Sequence, residues 1–406
     1  MILELLSGLN EYRSLSLYIH IPFCSRKCDY CDFYSTDAFT QDVLDTYARK
    51  LISEINHARS IRTKGFSTIF IGGGNPGILG GKRLADIIRA ADPDGDVEEV
   101  TVELNPESVD RNLLDQLSSY ATRLSIGIQS LHDQNLKTLG RNTGRSESIR
   151  ALKLLSCYQD TFEISLDFID AVPGQGLYDT RDDILSAHEL LKIDHLSVYD
   201  LIVEPGTPLS ERVSDEVDGN GNVIIDQYDL SDDLKHLGYQ RYEISNWARG
   251  HKNCAHNQHY WRMDPYLGIG PAAVSLLYKD HQVYHLYGKK DLHGYIFENS
   301  EFSDRIYTVE KLSGIEFLEE QLIMGIRTTE GISIKRLSGM FSTDLRDVLL
   351  RAAAPWIERG CMQASEEERL MLTESGMKFT NAVLVDLLIG IEGHIGVEPL
   401  ALDTYF

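Results

Sequence analysis

Tyr18-Ile-His-Ile-Pro-Phe-Cys24-Ser-Arg-Lys-Cys28-Asp-Tyr-Cys31-Asp-Phe33 is the stretch on which the reading of this chain turns. Its first residues belong to a β-branched run, 16–21, that predicts a strand. Three cysteines at C-x3-C-x2-C follow in the loop directly after it. The chain has 406 residues and six cysteines, and Cys157, Cys254 and Cys361 are scattered, so the grouping is not a disulfide framework. Clustered thiolates hold metal. Three of them on a four-iron cluster leave one iron open to a ligand, whereas a closed structural zinc site needs a fourth donor. His20 is a candidate for that donor, although it lies on the strand.

Strand-like runs recur at 68–71, 100–104, 123–128, 162–168 and 195–201, with stretches of helical spacing between them at 42–58, 82–91, 110–120, 146–157 and 181–191. Such alternation implies parallel βαβ units. Six of them predict an α/β fold built on an open or partial (β/α)6 barrel, with a flat doubly wound sheet as the weaker alternative. The polar stretches 24–31, 72–77, 103–106 and 129–130 each follow a strand, at the edge where parallel α/β folds bind ligands. Past Leu201 come an acidic loop at 213–222, a His/aromatic-rich stretch from Tyr239 to Tyr287, and helical spacing over 313–379 broken by turn-like pieces at 330–332 and 360–361. The expected division is a barrel core over 1–245, a His/aromatic-rich extension over 246–310 and a smaller, mostly helical C-terminal domain over 311–406.

Hydrophobic residues at 42% and charged residues at 25% give the balance of a folded soluble protein. A net charge of −23 with no dense Lys/Arg cluster argues against nucleic acid as a partner. Residues 1–10 carry no positive charge ahead of their apolar ones, so they do not read as a secretory signal. No stretch offers the ~20 apolar residues of a membrane span. The best candidate, 381–397, is interrupted by Asp386, Glu392 and His394. A cytoplasmic location is the expectation.

The cysteine string resembles the signature of the radical S-adenosylmethionine (SAM) superfamily. That resemblance implies a [4Fe–4S] cluster on Cys24, Cys28 and Cys31, with SAM chelated to the open iron and cleaved reductively to a 5′-deoxyadenosyl radical. It also implies an electron donor for the cluster. Gly72-Gly-Gly-Asn75-Pro-Gly77, straight after a strand, looks like the superfamily's glycine motif, whose backbone approaches the ligand. The superfamily usually has Thr-Pro-Ser after the glycines, so Asn75 and Gly77 replace two hydroxyl residues and put one SAM contact in doubt.

Further resemblance covers most of the chain and points to one branch: the oxygen-independent coproporphyrinogen oxidases and their relatives, the HemW heme chaperones. Glu103-Leu-Asn-Pro106, Arg123-Leu-Ser-Ile-Gly-Ile-Gln129-Ser130, Leu139-Gly-Arg141 and Asp167 match that branch in order. The resemblance implies SAM contacts at Tyr18, Gly73, Gly74, Asn75, Glu103, Gln129, Arg141 and Asp167. Carboxylates and amides suit an ammonium or a ribose, and Arg141 suits a carboxylate. Taken singly, Glu103, Asp167 and Arg141 read equally well as solvated charges.

Two features bear on which member of the branch this chain is similar to. The oxidases carry a further cysteine two residues after the third; Phe33 stands there, as in the chaperones. The string Cys254-Ala-His256-Asn-Gln-His259-Tyr260-Trp261 resembles a chaperone mark, and imidazoles beside aromatic rings can make a heme pocket. The alternative for His256, His259, Tyr260 and Trp261 is a packing loop whose histidines bond internally. Val274 stands where the family usually has histidine. The resemblance implies a chaperone that binds heme and hands it to an acceptor protein, with porphyrinogen decarboxylation as the alternative.

Overall fold

The computed structural model describes residues 1–341 and 344–392. Six parallel strands carry its first half: β1 (Ser16–Ile21), β2 (Thr68–Gly73), β3 (Glu99–Leu104), β4 (Arg123–Gln129), β5 (Glu163–Asp170) and β6 (His195–Asp200). Between successive strands run the helices α1 (Gln41–Ile61), α2 (Gly80–Ala91), α3 (Arg111–Leu117), α4 (Arg145–Leu155) and α5 (Asp179–His188). This is the partial barrel that the alternation predicts.

Side chains on a strand alternate between faces, and the two faces here differ in chemistry. Leu17, Ile19 and Ile21 on β1, Ile69 and Ile71 on β2, Val102 and Leu104 on β3, and Leu124 and Ile126 on β4 are buried in one core with the helices. Register keeps that face continuous, since Ile69 pairs with Val100, Val102 with Leu124 and Ile126 with Leu166. Helix α1 shows how the outer layer is fixed. Thr40 caps it by accepting from Val43 N at 3.4 Å, and Leu44, Tyr47, Leu51 and Ile55 are buried at helical spacing. Each such apolar side chain contributes roughly 1.5–3 kcal/mol. The interior face is polar: Glu103, Ser125, Ser165 and His195 are successive register partners across β3 to β6.

The sheet continues past these six strands on both sides. β7 (Gln240–Arg241) and β8 (Asn246–Ala248) extend it antiparallel beside β6. On the other edge β9 (Tyr266–Ile269) pairs parallel with β1 and leads to the antiparallel β10 (Val274–Lys279), β11 (Gln282–Gly288) and β12 (Tyr307–Leu312). Residues 246–310 therefore feed strands to both edges of the barrel sheet. Between β8 and β9, helix α6 (Ala255–Trp261) enters the barrel. Its first amides, Ala255 N and His256 N, donate to the Glu99 carboxylate at 2.8 and 3.1 Å. Glu99 begins β3, so α6 plugs the barrel at the end opposite the ligand-binding edge.

The C-terminal part packs α7 (Gly314–Ile326), α8 (Ile334–Met340), α9 (Arg346–Glu358) and α10 (Thr380–Ile391) with a three-stranded antiparallel sheet of β13 (Ile332–Ser333), β14 (Met362–Ala364) and β15 (Arg369–Leu372). Of that sheet only Ile332 falls on a piece that reads as a turn; the rest lies in the stretch that reads as helical, because two to four paired residues are too few to reveal a period of two. Among the described residues no helix is long and apolar enough to cross a membrane. The end of the 381–397 stretch and of the third expected region, from 393 on, lies outside the described residues.

Candidate cofactor site

A cavity of about 460 Å³ opens where β1 to β6 end, lined by all three clustered cysteines and by Gly73, Gly74, Glu103, Gln129, Arg141 and Asp167. The polar stretches that follow four different strands thus converge. The cysteine loop is held by backbone bonds: Thr36 N donates to Pro22 O at 2.8 Å, Cys24 N to Thr36 O at 3.0 Å and Asp29 N to Leu139 O at 3.0 Å. Gly140, at φ 68°, leaves room for Asp29, which a Cβ there would strike. Gly74 lets the second loop press on the first, since its Cβ would lie 2.6 Å from Phe23 O and 2.9 Å from Cys24 Sγ.

The three half-buried thiols fit a metal cluster better than they fit one another. Burial pushes the Cys24 thiol up to about 11, and Cys28 and Cys31 push it further the same way. A bound metal compensates crowded thiolates and deprotonates them outright. Among the described residues no three such side chains converge as the ligands of a single ion would; on a four-iron cluster each thiolate takes a separate iron. His20 is not free to complete a zinc site. Its Nε2 donates to Tyr34 O at 3.0 Å and its Nδ1 accepts from Tyr18 OH at 3.0 Å.

The remaining lining is a charged cradle. The Glu103 carboxylate accepts from Gly73 N at 3.1 Å, and burial together with nearby Asp167 pushes it up to about 7. Asp167 accepts from Ser125 Oγ at 3.0 Å and is also raised by burial. Two neighbouring carboxyls held up in this way favour a cationic ligand group, which would return both to the charged form. Arg141 donates to Gly127 O at 2.7 Å, to Asn105 Oδ1 at 3.3 Å and to Cys28 Sγ at 3.8 Å, while its buried Nε has no partner. Gln129 has a φ of 64°, rare for a residue with a side chain, at an irregularity in the β4–β5 pairing.

Two of the expected SAM contacts stand behind the cavity. Tyr18 stacks on Phe70 with ring centroids 6.3 Å apart. Asn75 is fully buried, donates to Ser108 Oγ at 2.8 Å and accepts from Gly77 N at 3.2 Å, so it shapes the glycine turn. Ser125, Tyr199 and Ile202 line the cavity without having been singled out from the sequence. The register of β3 with β4, which sets Ser125 opposite Glu103, places Ser125 on the interior face, whereas nothing local marks Tyr199 or Ile202.

The His/aromatic string forms the plug helix, and of its four candidate residues Trp261 lines a second cavity of about 270 Å³. His256 is fully buried and stacks on Phe70 at 5.1 Å. Thr68 Oγ1 donates to Ser16, so the His256 Nδ1–H donates to Thr68 at 2.7 Å and Nε2 accepts from Tyr260 OH at 2.8 Å. Burial pulls this imidazole down to about 3. His259 Nδ1 is 2.9 Å from Asp264, and Trp261 packs against Tyr242 with centroids 5.6 Å apart. Both His256 nitrogens are thus bonded internally, which leaves neither free as an axial ligand in this arrangement.

A parallel partial barrel with three cysteines in its first loop and a polar cavity above them defines a radical SAM protein. The radical SAM superfamily profile matches residues 18–187, and the HemN C-terminal domain profile matches residues 312–379. The heme chaperone HemW of Escherichia coli is 38% identical over 266 residues, which span 64% of this chain and 69% of that one. HemW of Bacillus subtilis is 30% identical over 383 residues, 91% and 97% of the two chains. The solved structure of E. coli coproporphyrinogen III oxidase, HemN, described as a radical SAM enzyme, matches with a TM-score of 0.75 at 20% identity over 94% of this chain and 92% of that one, which shows a shared fold. Within the radical SAM superfamily, this chain belongs to the HemW family.

Proposed function

We propose that this protein binds heme and passes it to an acceptor protein, carrying a [4Fe–4S] cluster on Cys24, Cys28 and Cys31 and SAM in the cavity beside it. Phe33 is the observation that carries this reading. Where the oxidases of the branch have a cysteine, a phenyl ring 60% exposed lines the cavity, and it can neither ligate metal nor exchange a thiol. Tyr199 and Ile202, 41% and 50% exposed, line the same cavity, as do Arg26 and Lys27. An apolar rim beside two cations suits a flat macrocycle with carboxylate arms.

In this reading Gly73 and Gly74 offer backbone to SAM, Glu103 and Asp167 hold its cationic and hydroxyl groups, Gln129 bonds a polar edge and Arg141 faces its carboxylate. Tyr18 and Asn75 act from behind, by fixing His20 and the glycine turn. Reductive cleavage of SAM is the chemistry the cofactors supply, and it needs an external one-electron donor. The test uses anaerobically reconstituted protein, titrated with heme by absorbance and separately incubated with coproporphyrinogen, SAM and reductant. Saturable heme binding without sustained porphyrinogen turnover is expected. Sustained turnover would make the chain an oxidase, and an absorbance that never saturates would end the chaperone reading.

A further inference from the structure

Arg141 carries more donors than a single carboxylate can use. A guanidinium has five N–H groups in a rigid fork. Here Nη1 donates to Cys28 Sγ at 3.8 Å and to Asn105 Oδ1 at 3.3 Å, and Nη2 donates to Gly127 O at 2.7 Å. The Nε–H, which has no partner, and one Nη2 hydrogen remain for a ligand. The guanidinium is brought to the sulfur from two sides. Asp29, next to Cys28, donates its backbone N–H to Leu139 O at 3.0 Å, so the turn that carries Arg141 is tied to the cysteine loop. Asn105 Nδ2 donates to Glu107 Oε1 at 3.2 Å, which turns the amide oxygen towards Arg141. Glu107 is fixed in its turn, since the same oxygen accepts from Ser25 Oγ at 3.2 Å and from Asn75 Nδ2 at 3.4 Å.

We propose that Arg141, besides facing the SAM carboxylate, sets the reduction potential of the cluster through its hydrogen bond to Cys28, and that Asn105 is the positioning residue that holds it there. The proposal rests on the reading that a [4Fe–4S] cluster occupies Cys24, Cys28 and Cys31. One electron from the external donor makes the cluster and its thiolates more negative by one unit. No bond between heavy atoms forms or breaks in that step, and no proton moves. A fixed cation that also donates an N–H to a ligating sulfur stabilises the more negative state, so it holds the potential up.

The placement suits this role in two further ways. An amide stands between the guanidinium and the Glu107 carboxylate, which leaves the charge of Arg141 directed at the sulfur. Arg26 and Lys27 also line the cavity, but both are exposed, so water and salt screen them more than they screen Arg141.

The test is a potentiometric titration of reconstituted holoprotein, followed by electron paramagnetic resonance and run without SAM, so that no SAM contact enters. Arg141→Met keeps nearly the length and removes the charge. It is expected to shift the one-electron equilibrium about tenfold towards the oxidised cluster, a potential about 59 mV lower, the scale of one hydrogen bond to a charged group. Arg141→Lys keeps the charge without the fork and is expected to recover most of that difference. Asn105→Ala removes the brace alone and is expected to fall between Arg141→Met and wild type. A wild-type potential in Arg141→Met, or an equal fall in Arg141→Met and Arg141→Lys, overturns the proposal, because a purely structural role does not follow charge. Should Arg141→Met retain no cluster, the wild type decides. Pulsed resonance of the reduced protein grown on nitrogen-15 arginine is expected to show a nitrogen coupling to the cluster spin, and its absence overturns the bond to Cys28. A wild-type protein that holds no cluster overturns the cofactor reading itself, whereas a cluster whose potential ignores Arg141 overturns this proposal alone.

Discussion

Glu103 shows how far surroundings move a single residue. Its carboxyl, ordinarily at 4.5, is held at about 7 by burial and by Asp167. The folded state therefore binds this proton more tightly than the unfolded state does. The group costs stability progressively as pH rises from 4.5 to about 7, and the full cost is present above that. Glu103→Gln removes the titration, so the melting temperature of the cofactor-free protein well above pH 7 is expected to rise by roughly 1–2 °C for each kcal/mol recovered, with no gain at acid pH. The same variant is expected to weaken SAM binding about tenfold, through loss of a charge-assisted hydrogen bond, while iron content stays intact. An equal melting temperature on both sides of pH 7 would mean that the carboxyl is not held up. Cys24→Ala, Cys28→Ala and Cys31→Ala are each expected to lose the brown absorbance of the cluster, and the exposed Cys157→Ala to keep it. The cysteines were legible because their spacing is itself the chemistry. Asn75 was not, since a motif position says where the backbone runs and not which way a side chain turns.

At the level of elements, the cysteine loop and the plug helix each depend on one close approach. Gly140 gives Asp29 its place, and Asp29 also pairs with Arg212 at 2.9 Å. Gly140→Ala is expected to displace the loop around Cys28 and to lower the iron retained after gel filtration, with only a small change in melting temperature. In α6, His256→Ala strands the Tyr260 hydroxyl inside the barrel and leaves Thr68 Oγ1 with Ser16 alone, which is expected to cost about 1–3 kcal/mol in urea denaturation. Heme bound per folded molecule is expected to stay unchanged; a selective loss of heme binding would return His256 to the role of ligand. Strands and helices of the barrel were legible because period two and period 3.6 are local signals. The destination of α6 was not, because His256 and Tyr260 read the same on a heme pocket as on a plug, and only the positions of Thr68, Phe70 and Glu99 distinguish the two.

Across the whole molecule, the sheet is completed from a distance: β9 lies beside β1, pairing Leu17 with Leu267 and Ile19 with Ile269. A pairing between residues so far apart leaves no local pattern, which is why 246–310 reads as an extension although it supplies strands to both edges. The long sheet keeps the plug, the polar interior and the ligand edge in one rigid frame, so the cysteine loop and the carboxyls of β3 and β5 meet at fixed positions. That meeting is the central claim: three thiolates and a charged cradle from four strands make a single site for a cluster and SAM. Electron paramagnetic resonance of the reduced, anaerobically reconstituted protein, with and without SAM, tests it most directly. The account expects about four irons per chain and a cluster signal that changes shape when SAM is added. A cluster signal indifferent to SAM, or stoichiometric zinc in place of iron after anaerobic purification, would contradict it.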